Sequence, residues 1–160
     1  MTAALLAAIT TLAFPPPAVT NCPFEVSSCL PLAVDSNRID TVAFELSFDA
    51  TPSNNVEIAV GRDANGDGKL ALLEADVTFG YDCGAWIIKE TATGRVTSEP
   101  APTEGRLTRT IQFKRGKTYN PNWNMLKLTR RGLFPQEGAD ILNESVVMES
   151  HLRRFCIFIR

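Results

Sequence analysis

Asp63, Asn65 and Asp67 stand at alternate positions, Gly68 and Lys69 follow, and Glu74 closes the run Asp63-Ala64-Asn65-Gly66-Asp67-Gly68-Lys69-Leu70-Ala71-Leu72-Leu73-Glu74. Three carboxylates and one amide offer hard oxygen donors with no sulfur or imidazole among them. That set suits calcium, which takes six to eight oxygens at roughly 2.3 to 2.6 Å. Alternation lets Asp63, Asn65 and Asp67 wrap one side of an ion, and Gly68 permits the sharp reversal at which a Cβ is penalised. Lys69 is expected to contribute its backbone carbonyl, because its ammonium would repel a cation. Ala71 has no side-chain oxygen, so water serves its position, and Glu74 supplies two carboxylate oxygens. Leu70 is the apolar residue expected to pin the loop to the protein. The expected metal ligands are thus Asp63, Asn65, Asp67, Lys69 and Glu74, with Ca2+ as the cofactor.

The run matches the pattern D-x-[DN]-x-[DN]-G-x5-E at every defined position and so resembles an EF-hand-type calcium loop, over 12 of the 160 residues. Its flanks depart from that family. Val56 to Val60 reads as an incoming strand, Leu72 to Asp76 allows at most a turn or two of exiting helix, and there is no second loop. The resemblance therefore implies one structural ion and not a helix pair opened by calcium, and a dockerin's duplicated loop is absent. Affinity is expected in the range of extracellular modules, roughly 10⁻⁴ to 10⁻³ M. The alternative is a solvated, glycine-rich hairpin loop without metal.

Other chemistry is sparse. His151 is the only histidine, and no GxSxG elbow, HExxH pair, phosphate-binding glycine loop or dinucleotide fingerprint is present. Among 18 acidic residues, two carboxylates across a cleft would suffice for glycoside hydrolysis, which keeps a small hydrolase as a rival. Trp86, Trp123, Tyr81 and Tyr119 are the residues for a sugar-stacking shelf. Trp86 is assigned to the core instead, and Trp123, beside a Pro-Asn turn, is left open. Asn143-Glu144-Ser145 is a glycosylation sequon by pattern alone.

The elements that must carry the loop are strands. Thr41 to Asp49 alternates, with Val42, Phe44, Leu46 and Phe48 on one face, and Val56, Ile58 and Val60 resume the pattern after Thr51-Pro52-Ser53-Asn54-Asn55, so residues 42 to 60 are expected to form a hairpin. Ala85 to Glu90, Leu107 to Phe113, Trp123 to Thr129 and Phe155 to Ile159 complete the set; in the second of these Leu107, Ile111 and Phe113 are in phase and Arg109 is the exception. Glu99 to Gly105 is the expected central loop. Six short strands without a useful amphipathic helix predict an all-β fold, an antiparallel β-sandwich, Ig-like or jelly-roll-like, with an inserted calcium loop; an open barrel is the variant. The stretch from Phe44 through Trp86, including Gly61-Arg62-Asp63-Ala64-Asn65-Gly66-Asp67-Gly68 and Tyr81-Asp82-Cys83-Gly84, is similar to small exported bacterial proteins of unknown function, a resemblance that implies no activity.

At 44% hydrophobic, 21% charged and net charge −2, the chain fits a globular domain and excludes wholesale disorder and a strongly basic nucleic-acid binder. The total hides an asymmetry: residues 1 to 80 carry a net −7 and residues 81 to 160 a net +5. The basic clusters Lys114-Arg115-Gly116-Lys117, Arg130-Arg131 and Arg153-Arg154 are short and lack interleaved aromatics, so solvated loop ends and strand faces complemented by the acidic half are expected before a face for nucleic acid, polysaccharide or a membrane surface. No apolar run is long enough for a transmembrane span.

Residues 3 to 14 followed by Pro15-Pro16-Pro17 resemble an export signal; the alternative is an N-terminal segment that docks on the domain. Residues 1 to 20 are accordingly a signal peptide or N-terminal arm with a Pro-rich linker, and residues 21 to 160 one β-sandwich domain. Cys22, Cys29, Cys83 and Cys156 show no zinc spacing, which favours disulfides, with Cys22–Cys29 and Cys83–Cys156 preferred among three pairings; four buried thiols are the alternative. The expectation is an extracytoplasmic, non-enzymatic binding or assembly module with a protein or glycan partner. The rivals are a subunit of an extracellular filament or surface assembly, with self-association, and a small calcium-stabilised hydrolase.

Overall fold

The computed structural model describes residues 7–13, 18–19, 25–32, 39–114, 122–131 and 144–152. They form eleven strands: β1 Ala7–Thr11, β2 Ala18–Val19, β3 Glu25–Pro31, β4 Ile39–Ala50, β5 Asn55–Gly61, β6 Ala75–Asp82, β7 Ala85–Glu90, β8 Arg95–Pro100, β9 Gly105–Lys114, β10 Met125–Arg131 and β11 Ser145–Leu152. One sheet has four strands in the order β1-β11-β4-β9, the other seven in the order β2-β3-β10-β5-β6-β7-β8. Every pairing is antiparallel. The two sheets pack against each other as an all-β sandwich, the fold class that the alternating patterns predict.

The core lies between the sheets and follows from those patterns. From the four-stranded sheet, Val42, Phe44, Leu46 and Phe48 of β4 are wholly buried, joined by Phe113 of β9 and Val146 of β11. From the seven-stranded sheet come Val56, Ile58 and Val60, then Phe79 and Tyr81, Trp86, Leu126 and Leu128. Phe48, Phe79, Tyr81 and Trp86 form an aromatic cluster with ring centroids 5.1 to 6.0 Å apart, edge-on, tilted or stacked. Such pairs add about 0.5 to 1.5 kcal/mol each beyond the area they bury.

The expected hairpin over residues 42 to 60 is not formed. β4 and β5 lie in different sheets, so the segment Thr51–Asn54 is an arch that carries the chain across the core. Asn54, 2% exposed, makes that bend: its Nδ2 donates to the Asp49 carbonyl at 3.2 Å and its Oδ1 accepts from the Thr51 amide at 3.2 Å. Period-2 alternation shows which face of a strand is apolar and is silent about which strand lies beside it. β4 is flanked instead by β9, over ten residue pairs, and by β11.

Two boundaries also move. The expected loop from Glu99 to Gly105 is shorter, because Glu99 and Pro100 end β8 and Gly105 starts β9. Strands β3, β6, β8 and β11 lie in stretches not expected to be strands. β8 illustrates why: it is an edge strand with five of its six residues exposed, so it carries no apolar alternation. Residues 7–11 form the edge strand β1, paired with β11 from Ala7↔His151 to Thr11↔Val147. The expected strand Phe155 to Ile159 lies outside the described residues.

Candidate metal centre

The candidate loop joins β5 to β6, and its neck is tightly closed. The Arg62 amide donates to the Glu74 carbonyl at 3.1 Å. Gly61 sits so close to the returning chain that a Cβ there would lie 2.0 Å from the Glu74 carbonyl oxygen. Only a residue without a side chain allows that approach. A single 3₁₀ turn, Leu72–Glu74, leads directly into β6, in place of the longer exiting helix of an EF-hand.

Two consecutive residues just before β10 clasp the loop and the strand that follows it. Asn124 accepts from the Asp63 amide through Oδ1 at 2.8 Å and donates from Nδ2 to the Asp63 carbonyl at 3.3 Å. Trp123, 3% exposed, donates from Nε1 to Asp76 Oδ2 at 2.6 Å, two residues beyond the loop, and packs edge-on against Phe113 with centroids 5.2 Å apart. Asn124 is itself fixed, its amide donating to the Gly61 carbonyl at 3.1 Å and its carbonyl accepting from Leu32 at 2.8 Å. Leu70, 3% exposed, packs with Ala59, Ala75, Met125 and the partly buried Cys29 in a small apolar cluster separate from the main core. The residue expected to pin the loop therefore does so.

Inside the loop every ligand-type side chain is turned to a backbone amide. Asp63 Oδ1 accepts from Gly66 at 2.7 Å and Asp67 at 3.3 Å, and its Oδ2 accepts from Gly68 at 2.9 Å. Asn65 Oδ1 accepts from Asp67 at 3.0 Å, and Asp67 Oδ1 from Lys69 at 2.9 Å. Glu74 reaches across the loop, with Oε2 on the Ala71 amide at 2.9 Å and Oε1 on the Ala64 amide at 3.2 Å. Gly66 and Gly68 hold φ of 74° and 76°, the left-handed region that favours glycine.

The donor set is all oxygen and mostly exposed, which fits calcium in kind and not zinc or copper. Among the described residues no group of three or more His, Cys, Asp or Glu is drawn together as a metal would require. Asp63, Asp67 and Glu74 are instead spread over the loop's own amides. The Asn65 amide lies 3.3 Å from Asp67 Oδ2, the one side-chain link within the set.

The remaining candidate residues are placed elsewhere. Trp86, Trp123 and Tyr81 are buried, so they form no sugar-stacking shelf, and Tyr119 lies outside the described residues. Tyr81 donates its hydroxyl to the Pro102 carbonyl at 3.2 Å and more weakly to the Thr51 carbonyl at 3.4 Å. Desolvation by burial pushes its pKa up. His151 faces Glu149, with Nε2 3.1 Å from Oε1. A shallow depression lined by Asn55, Glu57, Thr78, Gly80, Asp82 and Lys89 has a volume of about 10 Å³, room for one water at most. Its Glu57 is held by Arg131 at 3.1 Å.

Part of the basic half meets the acidic half: Arg131 bridges Glu25 and Glu57, and Arg106 pairs with Asp49. Arg109 pairs within its own half, with Glu99 at 2.7 Å. Arg109, on the same face of β9 as Leu107, Ile111 and Phe113, lays its guanidinium 5.5 Å from the Trp86 ring, which explains how a charge occupies an inward position. Cys29 and Cys83 form no disulfide with each other, and Cys22 and Cys156, the partners expected for them, lie outside the described residues. No helix among the described residues is long and apolar enough to cross a membrane.

Asn124 and Trp123 escape a sequence reading because nothing in a Pro-Asn turn announces a contact 61 residues away. The segment Asn122-Trp123-Asn124 gives only a turn signal and one aromatic. A comparison with protein-family models finds none that matches the chain, and a comparison with curated proteins finds no match.

Proposed function

We propose that this is an exported β-sandwich module that binds one Ca2+ in the loop 63–74, with the ion serving a structural role and the module acting in binding or assembly without catalysis. The observation that carries the reading is the clasped loop. Its neck is closed by Arg62 and Glu74, its first residue is held by Asn124, and its eighth, Leu70, is buried. A loop fixed at these points presents Asp63, Asn65, Asp67, the Lys69 carbonyl and Glu74 over a short span. When bound, the ion would draw together and neutralise the loop's carboxylates and stiffen the connection between β5 and β6. The side chains would exchange amide partners for the cation.

The non-catalytic role is part of the same proposal; in the shallow depression between β5 and β6, Glu57 is held by Arg131. Export and the pairings Cys22–Cys29 and Cys83–Cys156 belong to the same reading. Mass measurement after thiol labelling, with and without reductant, checks them; four labelled thiols in unreduced exported protein would sink the disulfide bracing.

The central test is melting temperature in calcium against chelator. At an ion concentration about a hundredfold above Kd, binding stabilises by about 2.7 kcal/mol, roughly 5 to 10 °C for a domain of this size. Asp63→Ala and Glu74→Ala should remove that rise. A wild-type melt that ignores 10 mM calcium refutes the reading.

A further inference from the structure

The most exposed large apolar side chains among the described residues are neighbours: Leu72 is 83% exposed and Leu73 89%. They form the 3₁₀ turn at the end of the loop, next to Ala71, the position without a side-chain oxygen. We propose that this tip, Ala71-Leu72-Leu73, docks on an anionic phospholipid surface when the loop holds calcium; the inference rests on the calcium reading above.

Size argues for lipid over protein. Two leucines offer far less than the ~800 Å² per partner of a stable protein interface. A lipid surface requires no complementary groove and accepts isolated apolar side chains at the boundary between headgroups and acyl chains. Leu70, two residues earlier, is buried, so the outward direction of Leu72 and Leu73 is set by a turn anchored from beneath.

Charge supplies the ion dependence. Residues 62 to 76 carry two basic and four acidic side chains, a net −2 that an anionic surface repels and that one Ca2+ brings to zero. Arg62 and Lys69, both exposed, are then no longer outweighed by the loop's carboxylates. At Ala71 the calcium shell would be completed by water, a position that a lipid phosphate oxygen could take. The exchangeable ligand position and the two apolar side chains are thus consecutive in the chain.

The experiment is flotation of the full chain with phosphatidylglycerol vesicles and with phosphatidylcholine vesicles, in calcium and in chelator, beside a calcium titration of the same samples. Flotation is expected with phosphatidylglycerol in calcium alone. Leu72→Ser and Leu73→Ser should each weaken it by roughly tenfold while calcium affinity stays within about twofold. Calcium uptake without flotation overturns the docking and leaves the ion site standing. Wild-type flotation by the double variant, equal flotation with phosphatidylcholine or in chelator, or leucine-dependent self-association in its place also overturns it. No calcium uptake in the titration sinks the ion reading and this one together.

Discussion

The Asn124 carboxamide engages both main-chain polar groups of Asp63, across 61 residues of sequence, at 2.8 and 3.3 Å. One side chain on the approach to β10 thereby fixes the first residue of the candidate calcium loop. Asn124→Ala removes both bonds at an exposed site and should cost about 0.5 to 1.5 kcal/mol. It should also lower calcium affinity severalfold, because Asp63 would lose its fixed backbone. Chemical denaturation and calcium titration check the two effects separately, and unchanged affinity would show that the clasp serves stability alone.

Gly61 and Glu74 touch where the loop closes. A methyl group at Gly61 would lie 2.0 Å from the Glu74 carbonyl oxygen and 2.9 Å from the Ala75 Cα, both backbone atoms that cannot rotate away. Gly61→Ala should therefore part β5 from β6 at the neck and destabilise by roughly 3 kcal/mol or more, among the larger point-mutation effects. A loss below about 1 kcal/mol in urea would mean that the neck opens cheaply.

Tyr81 gives a pH signature. Burial raises its pKa above the ordinary tyrosine value, while the unfolded chain ionises near 10. Below the unfolded value both states are protonated and the contribution is intact. As pH rises through that value toward the folded one, the unfolded state releases its proton first, so stability falls. Melting temperature should drop above about pH 10, and Tyr81→Phe should flatten that drop while costing about 1 kcal/mol at neutral pH through the lost hydroxyl bonds. An identical alkaline slope in the variant would assign it to other groups.

Arg109 links the two sheets at their open side, with Glu99 on one flank and the Trp86 ring beneath. Glu99 is 63% exposed, so solvent screening limits the pair to less than about 1 kcal/mol. A double-mutant cycle with Arg109→Ala and Glu99→Ala should give a coupling in that range that shrinks in high salt. Coupling of several kcal/mol, or none lost in salt, would contradict the exposed geometry.

The sequence by itself determined the fold class and which oxygen donors the loop carries. Alternating apolar residues at Val42 to Phe48 and Val56 to Val60 require half-buried strands wherever they sit, because burial acts on each residue separately. The spacing from Asp63 to Glu74 sets out oxygen donors in the same local way, and Leu70 announced its own burial. Arrangement was a different matter. That β4 and β5 belong to opposite sheets depends on the bend at Asn54 and on β9 and β11 lying beside β4. The exposed β8 gives no periodic signal, since an edge strand is held by backbone bonds that any sequence offers. The clasp of Trp123 and Asn124 on the loop exists only because β10 pairs with β5, placing Met125 opposite Gly61. Long-range pairing is a property of the whole chain, so no window of sequence contains it, and it is what holds the calcium-type loop in place.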